Sequence, residues 1–311
     1  MLFKGDTLDD LLNDVYSAIL SEGDPIRPGR GNCIELQGAI LKLTDPRARI
    51  SLSEARGRFF SNLGELLWYL TGDNKLSFIR YYIPRYENES QDGLSIYGGY
   101  GPRLFAKNGN INQVNNVINL LKTKPDSRRA VIQLFDAVDL ASEQIEIPCT
   151  CTLQFLLRKE RLTLIAHMRS NDAYIGLPHD IFCFTMLQEL IACDLGCQLG
   201  DYIHMVGSLH IYETNLGQVS EYLEEGFHGA RSMEPMPHTS PWPAVKEVLL
   251  AEDLIRNGKE LPVQDHLDPF WKDIITLLQI YKFRKTATKA DIRLLTDTLH
   301  SKLLHKLLST K

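Results

Sequence analysis

Cys149 and Arg169 are the pair from which a chemistry can be argued. Pro148 precedes the cysteine, and the arginine opens Arg169-Ser170-Asn171-Asp172, which runs on to Gly176-Leu177-Pro178-His179-Asp180. Between them, residues 152–157 and 162–168 are apolar and rich in β-formers, with the polar turn Arg158-Lys159-Glu160-Arg161 joining the two runs. That pattern predicts a β-hairpin, and a hairpin returns its outer ends to one place. Cys149 and Arg169 should therefore be neighbours. The thiolate is the reactive form of cysteine, and a fixed guanidinium beside it lowers the thiol pKa while offering a seat for an anion.

Glu65 is a second candidate. It lies in a predicted helix over residues 53–71 that ends at Gly72, and it is the one carboxylate in a half that is apolar nearly all round. On the helix's polar edge it would be an ordinary solvated group. Buried, it would have a raised pKa and could carry a proton near neutral pH. Two arginines, Arg27 and Arg30, lie in a loop rich in Gly and Pro over residues 23–32, where backbone can approach a ligand closely. Composition alone reads them as solvated. Arg128 and Arg129 enter a predicted strand over residues 130–135, facing opposite sides of it.

Several classes are excluded. Residues 90–104 are rich in Gly and Tyr but have neither dinucleotide nor P-loop spacing. The six cysteines form no CxxC pair, and Cys183, Cys193 and Cys197 fall in or just past an apolar helix as small hydrophobes, so neither a zinc site nor a disulfide framework is expected. No metal is expected. A net charge of -5 with mixed signs suggests no extended nucleic-acid or membrane surface. The N-terminus lacks a signal-peptide core and no apolar run reaches membrane-spanning length, so the expectation is a soluble, cytoplasmic protein.

With 311 residues and 44% apolar content, the chain can bury a large core in one domain with an appendage. Residues 7–22 are helical after a capping Thr7 or Asp9, and Cys33–Leu43 reads as a strand pair or a strand bent at Gly38. A helix over residues 112–124 follows. Residues 181–195 are a core helix for which Asp180 is a natural N-cap. A strand over residues 202–206, the segment 207–215 and a helix to about residue 225 come next. Residues 233–243 are too rich in proline for helix or strand, and residues 244–256, 269–281 and 290–308 form a helical tail.

In order, these pieces resemble the thymidylate synthase family, including its cytidylate hydroxymethylase branch. The resemblance covers residues 7–237 and rests on Glu65-Leu66-Leu67-Trp68-Tyr69-Leu70-Thr71-Gly72, Tyr97-Gly98, Asp126-Ser127-Arg128-Arg129 and Pro148-Cys149. Gln154-Phe155, Arg169-Ser170-x-Asp172, Gly176-x-Pro178 and His210-x-Tyr212 continue the series. It divides the chain into a catalytic domain, residues 1–237, and a helical extension, residues 238–311. It implies an α/β (α+β) fold whose large mixed sheet is covered by helices and packs back to back in a homodimer. It also implies a pyrimidine nucleoside monophosphate as substrate and 5,10-methylenetetrahydrofolate as one-carbon donor. By this resemblance Cys149 would add to C6 of the base, with Tyr97 also among the catalytic residues. Arg169, Ser170 and one loop arginine, Arg27 or the Gly-flanked Arg30 that the resemblance favours, would bind the phosphate with Arg128 and Arg129 of the other subunit. His210 and Tyr212 would bind the sugar hydroxyl, Glu65 would order water and shuttle protons, and Asp172 and Gly176 would meet the folate.

Three departures from the synthases bear on the reaction. They carry Pro-Phe-Asn where this chain has Pro178-His179-Asp180. An amide at the last position suits uracil, whereas a carboxylate accepts from the 4-amino group of cytosine and from N3 once that is protonated in the covalent intermediate, and leaving such a buried group unpaired costs about 1–3 kcal/mol. As an N-cap, aspartate and asparagine serve equally well. Second, residues 80–86 contain no tryptophan, and a helical tail stands where the synthases have a short segment closing over the folate. A site less shielded from water favours water addition, and hence a hydroxymethyl product, with Glu65 positioning the water. Third, Thr150 follows the cysteine where the synthases have histidine.

Overall fold

The computed structural model describes residues 1–54, 59–141, 143–226 and 228–309. In chain order the elements begin with β1 (Leu2–Gly5), α1 (Leu8–Glu22), β2 (Asp24–Ile26), β3 (Cys33–Leu43), α2 (Phe59–Leu70), α3 (Leu76–Tyr82) and a 3-10 turn (Pro84–Glu89). Then come α4 (Tyr100–Phe105), α5 (Gln113–Thr123), β4 (Val131–Gln133), β5 (Thr150–Arg158), β6 (Arg161–Asp172), α6 (Gly176–Leu195) and β7 (Gln198–Tyr212). The chain closes with α7 (Leu216–Glu224), α8 (Trp242–Arg256), α9 (Pro269–Phe283), α10 (Lys289–Asp297) and α11 (Lys302–Ser309).

A mixed sheet of seven strands, in the order β1-β3-β7-β6-β5-β4 with β2 on the edge of β3, makes this an α/β fold. β5 and β6 form the expected hairpin, longer at both ends than the apolar runs. β6 and β7 run parallel, with Asp172 level with His210 and Ser170 level with Ser208. This one pairing brings the two motifs that carry polar groups, Arg169 to Asp172 and His210 to Tyr212, to the same sheet edge. β3 is a single strand whose register against β7 skips Gly38, at φ +66°. Apolar residues of α1, α2, α5 and α6 fill one continuous core.

Several expectations need correction. Asp180 is not an N-cap: α6 begins at Gly176, so Asp180 is its fifth residue. Pro178 permits this, because the first turn of a helix has no intrahelical use for its N–H groups. The segment 90–104, read as loop, ends in α4, where Pro102 sits in the first turn in the same way. Residues 202–206 belong to one long strand, β7. Residues 290–308 form two helices rather than one; the Asp273 carboxylate accepts from the backbone N–H groups of His300 at 2.9 Å and Ser301 at 2.7 Å, where the chain turns between them. Of the helix expected over residues 53–71, Ser53 and Glu54 are not helical, and residues 55–58 lie outside the described residues.

The tail is fastened to the rest by side chains that reach α3. Tyr82 donates to Glu252 Oε1 at 2.8 Å, which also accepts from Arg256 Nε, and Tyr281 donates to the Tyr81 carbonyl at 2.8 Å. Val245, Val248, Trp271 and Ile274 close a small apolar gap against Leu63, Leu67 and Leu190.

The sequence motifs give no hint of an ion pair deep in the fold. Glu189 of α6, 1% exposed, meets Arg49, which is wholly buried, and Arg47 Nε at 2.6 Å, and it accepts from the Met236 N–H at 3.1 Å. Burial alone would raise the Glu189 pKa, but Arg49 and then Arg47 hold it below the ordinary value. Removing one partner strands a buried charge, so Glu189→Gln should lower unfolding stability by about 3–5 kcal/mol. A carboxylate with a depressed pKa stabilises above its unfolded pKa and loses that contribution as pH falls through its folded pKa. Urea melts at neutral and acid pH should therefore show the gap between the parent and Glu189→Gln closing in acid.

Candidate active site

A cavity of about 910 Å³ opens at the edge of the sheet where β6 and β7 end, roofed by α2 and the 3-10 turn. Among the residues that line it are Arg30, Glu65, Cys149, Arg169, Ser170, Asp172, Gly176, Asp180, His210 and Tyr212. Topology explains the gathering: apart from Arg30, which lies in the loop between β2 and β3, each sits at a strand end, at a helix start, or on a helix that faces the cavity.

Cys149 and Arg169 meet as the hairpin predicts. The Arg169 N–H donates to the Cys149 carbonyl at 2.9 Å, and its Nη2 lies 3.6 Å from Sγ. The guanidinium is held by the carbonyls of Pro148 (2.9 Å) and Ile147 (3.1 Å). Arg169 lowers the thiol pKa as expected, but burial outweighs it. Burial pushes the Cys149 pKa up to about 11; Arg169 opposes that, while Glu146 and Asp180 add to it.

Glu65 is buried at 7% exposure, which decides between the two readings of its helix. Tyr69 donates to its Oε1 at 3.1 Å and Tyr86 to the same oxygen at 2.8 Å. Burial nevertheless raises its pKa. Asp180, 9% exposed, is raised well above the ordinary carboxyl range by burial and then by Glu65. Asp172 Oδ1 accepts from the backbone N–H groups of Tyr174 and Ile175, at 2.9 and 3.0 Å, and so shapes the turn before α6. His210 and Tyr212 stand edge to face, ring centroids 4.9 Å apart.

Of the other expected site residues, Tyr97 is the one placed apart from its expected role. Arg30 lines the cavity, paired with Glu89 at 3.1 Å, whereas Arg27 is exposed and does not line it. Arg128 and Arg129 are exposed and also lie off this cavity. Tyr97 is no part of the lining; the Arg103 guanidinium lies 5.3 Å over its ring and its side chain hydrogen-bonds Asp139. Tyr100 lines the cavity instead, its hydroxyl 2.8 Å from Thr150 Oγ1 and accepting the Thr150 N–H at 3.1 Å. That contact gives Thr150 a purpose: it pins the residue after the nucleophile to α4.

Sequence reasoning overlooked Asn171, Glu146 and the aromatic wall. Asn171 donates to Asp180 Oδ2 at 2.8 Å, a link invisible from spacing because it depends on where α6 starts. Trp68, from α2, lines the cavity although residues 80–86 supply no tryptophan. Its ring meets Tyr86 at 5.4 Å, and its buried Nε1 has no partner among the described residues. Such an aromatic wall, in the same lining as Ile175 and Gly176, suits a flat aromatic ligand. His179 joins α6 to α2 through the Ile175 carbonyl (2.7 Å) and Ser61 Oγ (2.9 Å).

Glu146 lies three residues before the nucleophile, against Gly98. A Cβ built at Gly98 would sit 1.9 Å from Glu146 Oε2, so the missing side chain makes room for the carboxyl. Burial and then Glu89 push the Glu146 pKa up to about 7. Because ionised Glu146 raises the Cys149 pKa, Glu146→Gln should increase the thiolate fraction. Iodoacetamide labelling of Cys149 at pH 8 is expected to quicken several-fold, and an unchanged rate would detach the two groups.

No group of three or more His, Cys, Asp or Glu among the described residues could hold a metal ion, and no helix there is long and apolar enough to cross a membrane. Comparison with known proteins agrees with the geometry. A family model described as Thymidylate synthase matches residues 10–238. A deoxyuridylate hydroxymethyltransferase of Bacillus phage SP01 is 28% identical over 228 residues, which cover 69% of this chain and 60% of that protein. The chain thus spans about three-fifths of that relative's length. A family match over most of the chain, on a fold that gathers the motif residues around one cavity, means that the protein belongs to the thymidylate synthase family.

Proposed function

We propose that this protein transfers a hydroxymethyl group to C5 of cytidylate, through a covalent adduct between Cys149 and C6 of the base. The observation that carries the reading is Asp180: a buried carboxyl in the cavity wall, with a pKa well above the ordinary range and Asn171 on one oxygen. Cytosine offers an amino N–H at C4 and an unprotonated N3. In its protonated form, which the raised pKa favours, the carboxyl accepts from the first and donates to the second. Protonating N3 draws electrons from the ring and makes C6 more open to sulfur. As the S–C6 bond forms, the thiol proton passes towards Glu65, whose raised pKa suits it to carry protons near neutral pH.

Arg169, Ser170 and Arg30 would hold the phosphate, with Arg128 and Arg129 of a second subunit completing the seat; their exposure away from their own cavity supports that arrangement. Guanidinium forks suit a phosphate dianion, and Arg30 would exchange Glu89 for it. His210 and Tyr212 would bind the sugar. Trp68, Tyr86, Asp172 and Gly176 would hold 5,10-methylenetetrahydrofolate, which supplies a one-carbon unit at the oxidation level of formaldehyde. Glu65 then positions the water that ends the unit as an alcohol.

A second reading, deoxyuridylate as substrate, is favoured by the name of the phage relative. Incubation with dCMP, CMP and dUMP plus the folate donor, with products identified by mass, separates the two. Hydroxymethyl product from a cytidylate supports the proposal, and hydroxymethyl product from dUMP alone selects the second reading. Thymidylate with no hydroxymethyl product sinks both.

A further inference from the structure

Asp180 does not meet the cavity alone. Behind it runs a buried row of polar side chains that the reaction as described does not use. Asn171 Nδ2 lies 2.8 Å from Asp180 Oδ2, and His204 Nε2 lies 3.0 Å from Asn171 Oδ1. The Tyr202 hydroxyl lies 2.6 Å from His204 Nδ1. Asn171 is 4% exposed, and Tyr202 and His204 are wholly buried. The row begins on β7, crosses β6 and ends at the cavity. Room for its last link comes from Gly176, where an added Cβ would stand 3.0 Å from Asn171 Nδ2.

We infer that Asn171, held by His204 and Tyr202, is a positioning residue that decides which oxygen of Asp180 is presented to the base as a donor. The inference rests on the reading of Asp180 as the base-recognising group. Its logic is hydrogen-bond accounting. An amide oxygen only accepts, so His204 Nε2 must carry the ring hydrogen. Burial holds His204 neutral, with its pKa down at about 3, so Nδ1 has none and accepts from Tyr202. Every member thus passes one hydrogen forward: Tyr202 to His204, His204 to Asn171, Asn171 to Asp180 Oδ2. An oxygen already taking an N–H does not also hold a proton towards it. The carboxyl proton is therefore confined to Oδ1, which has no protein partner among the described residues.

Turning the Asn171 amide over would reverse the whole row. Oδ2 would then donate to Asn171, Asn171 to His204 and His204 to Tyr202, leaving Oδ1 only able to accept. That second state could take the cytosine amino group but could not protonate N3. The row is a two-state device, and its buried end favours the state that suits cytosine, because in the reversed state the Tyr202 hydrogen would lose His204 as its acceptor.

Other charges face Asp180 and enter any titration of it. They are Glu65 from α2 and Asp172 from β6, with Tyr100, Cys149, Cys183 and Tyr202 as weakly acidic neighbours. Asn171 is the donor among them, and a donor to a carboxylate lowers its pKa.

The test uses Asn171→Ala, His204→Phe and Tyr202→Phe in the full chain. The Asp180 carboxyl is followed by infrared titration, its band assigned by its loss in Asp180→Asn. Asn171→Ala should move that titration up by about one pH unit, and His204→Phe should lower the ratio of kcat/KM for dCMP over dUMP by about tenfold. Tyr202→Phe, which removes one hydroxyl and is the variant surest to fold, should change both quantities in the same direction by less. Variants that are less stable but keep the parent's titration and ratio overturn the inference. If Asp180→Asn leaves base preference untouched, the base-recognition reading fails instead, and the infrared shift still judges the row by itself.

Discussion

Cys149→Ser is expected to lower turnover by roughly ten-thousandfold while leaving nucleotide binding within a few-fold of the parent. The serine hydroxyl ionises far less readily than a thiol, and a carboxylate such as Glu65 is too weak a base to make up the difference; even the thiol is held at about 11 by burial. On the proposed reading the phosphate would rest on Arg169, whose guanidinium is fixed by the backbone carbonyls of Pro148 and Ile147, so binding has no need of the sulfur. Release of tritium from C5 of a labelled nucleotide reads the first quantity, and calorimetric titration with unlabelled nucleotide reads the second. Equal inertness of parent and variant in the tritium assay would favour a nucleotide-binding protein without catalysis.

Asp180→Asn is expected to shift preference from cytidylate towards deoxyuridylate by ten- to a hundredfold in relative kcat/KM, the equivalent of about 1–3 kcal/mol. An amide N–H set against the cytosine amino group opposes donor to donor, and the lost carboxyl proton can no longer reach N3. The pH dependence has a definite sign. Since Asp180 is needed with its proton, cytidylate turnover should decline as pH rises through the raised Asp180 titration, and in Asp180→Asn that alkaline limb should vanish. Unchanged base selectivity would return Asp180 to a merely structural place in α6.

What could be read in advance followed local rules. The β5–β6 hairpin was legible because alternating apolar residues and a polar turn sit side by side in the chain, and its geometry alone placed Cys149 beside Arg169. The Cys149 pKa was not legible, since it depends on how completely distant segments bury the sulfur and on Glu146 reaching into the space at Gly98. The start of α6 was misjudged through Pro178, and that misplacement hid the contact between Asn171 and Asp180. Arg49 and Glu189 lie 140 positions apart, and no motif announces a pair of that kind.

The way the tail is fastened has a consequence for the order in which the site forms. Cys149 and Arg169 are 20 positions apart and join through one hairpin, whereas Tyr82 reaches Glu252 across 170 positions and Tyr81 reaches Tyr281 across 200. Closing long loops costs more chain entropy, and contacts of that span form slowly. A refolding chain therefore acquires its nucleophile and anion seat early. The wall of Tyr82 and Tyr86 that shelters them sets only when α8 and α9 dock. Early intermediates would carry an accessible Cys149, and its reactivity towards thiol reagents gives a clock for the closing of the cavity.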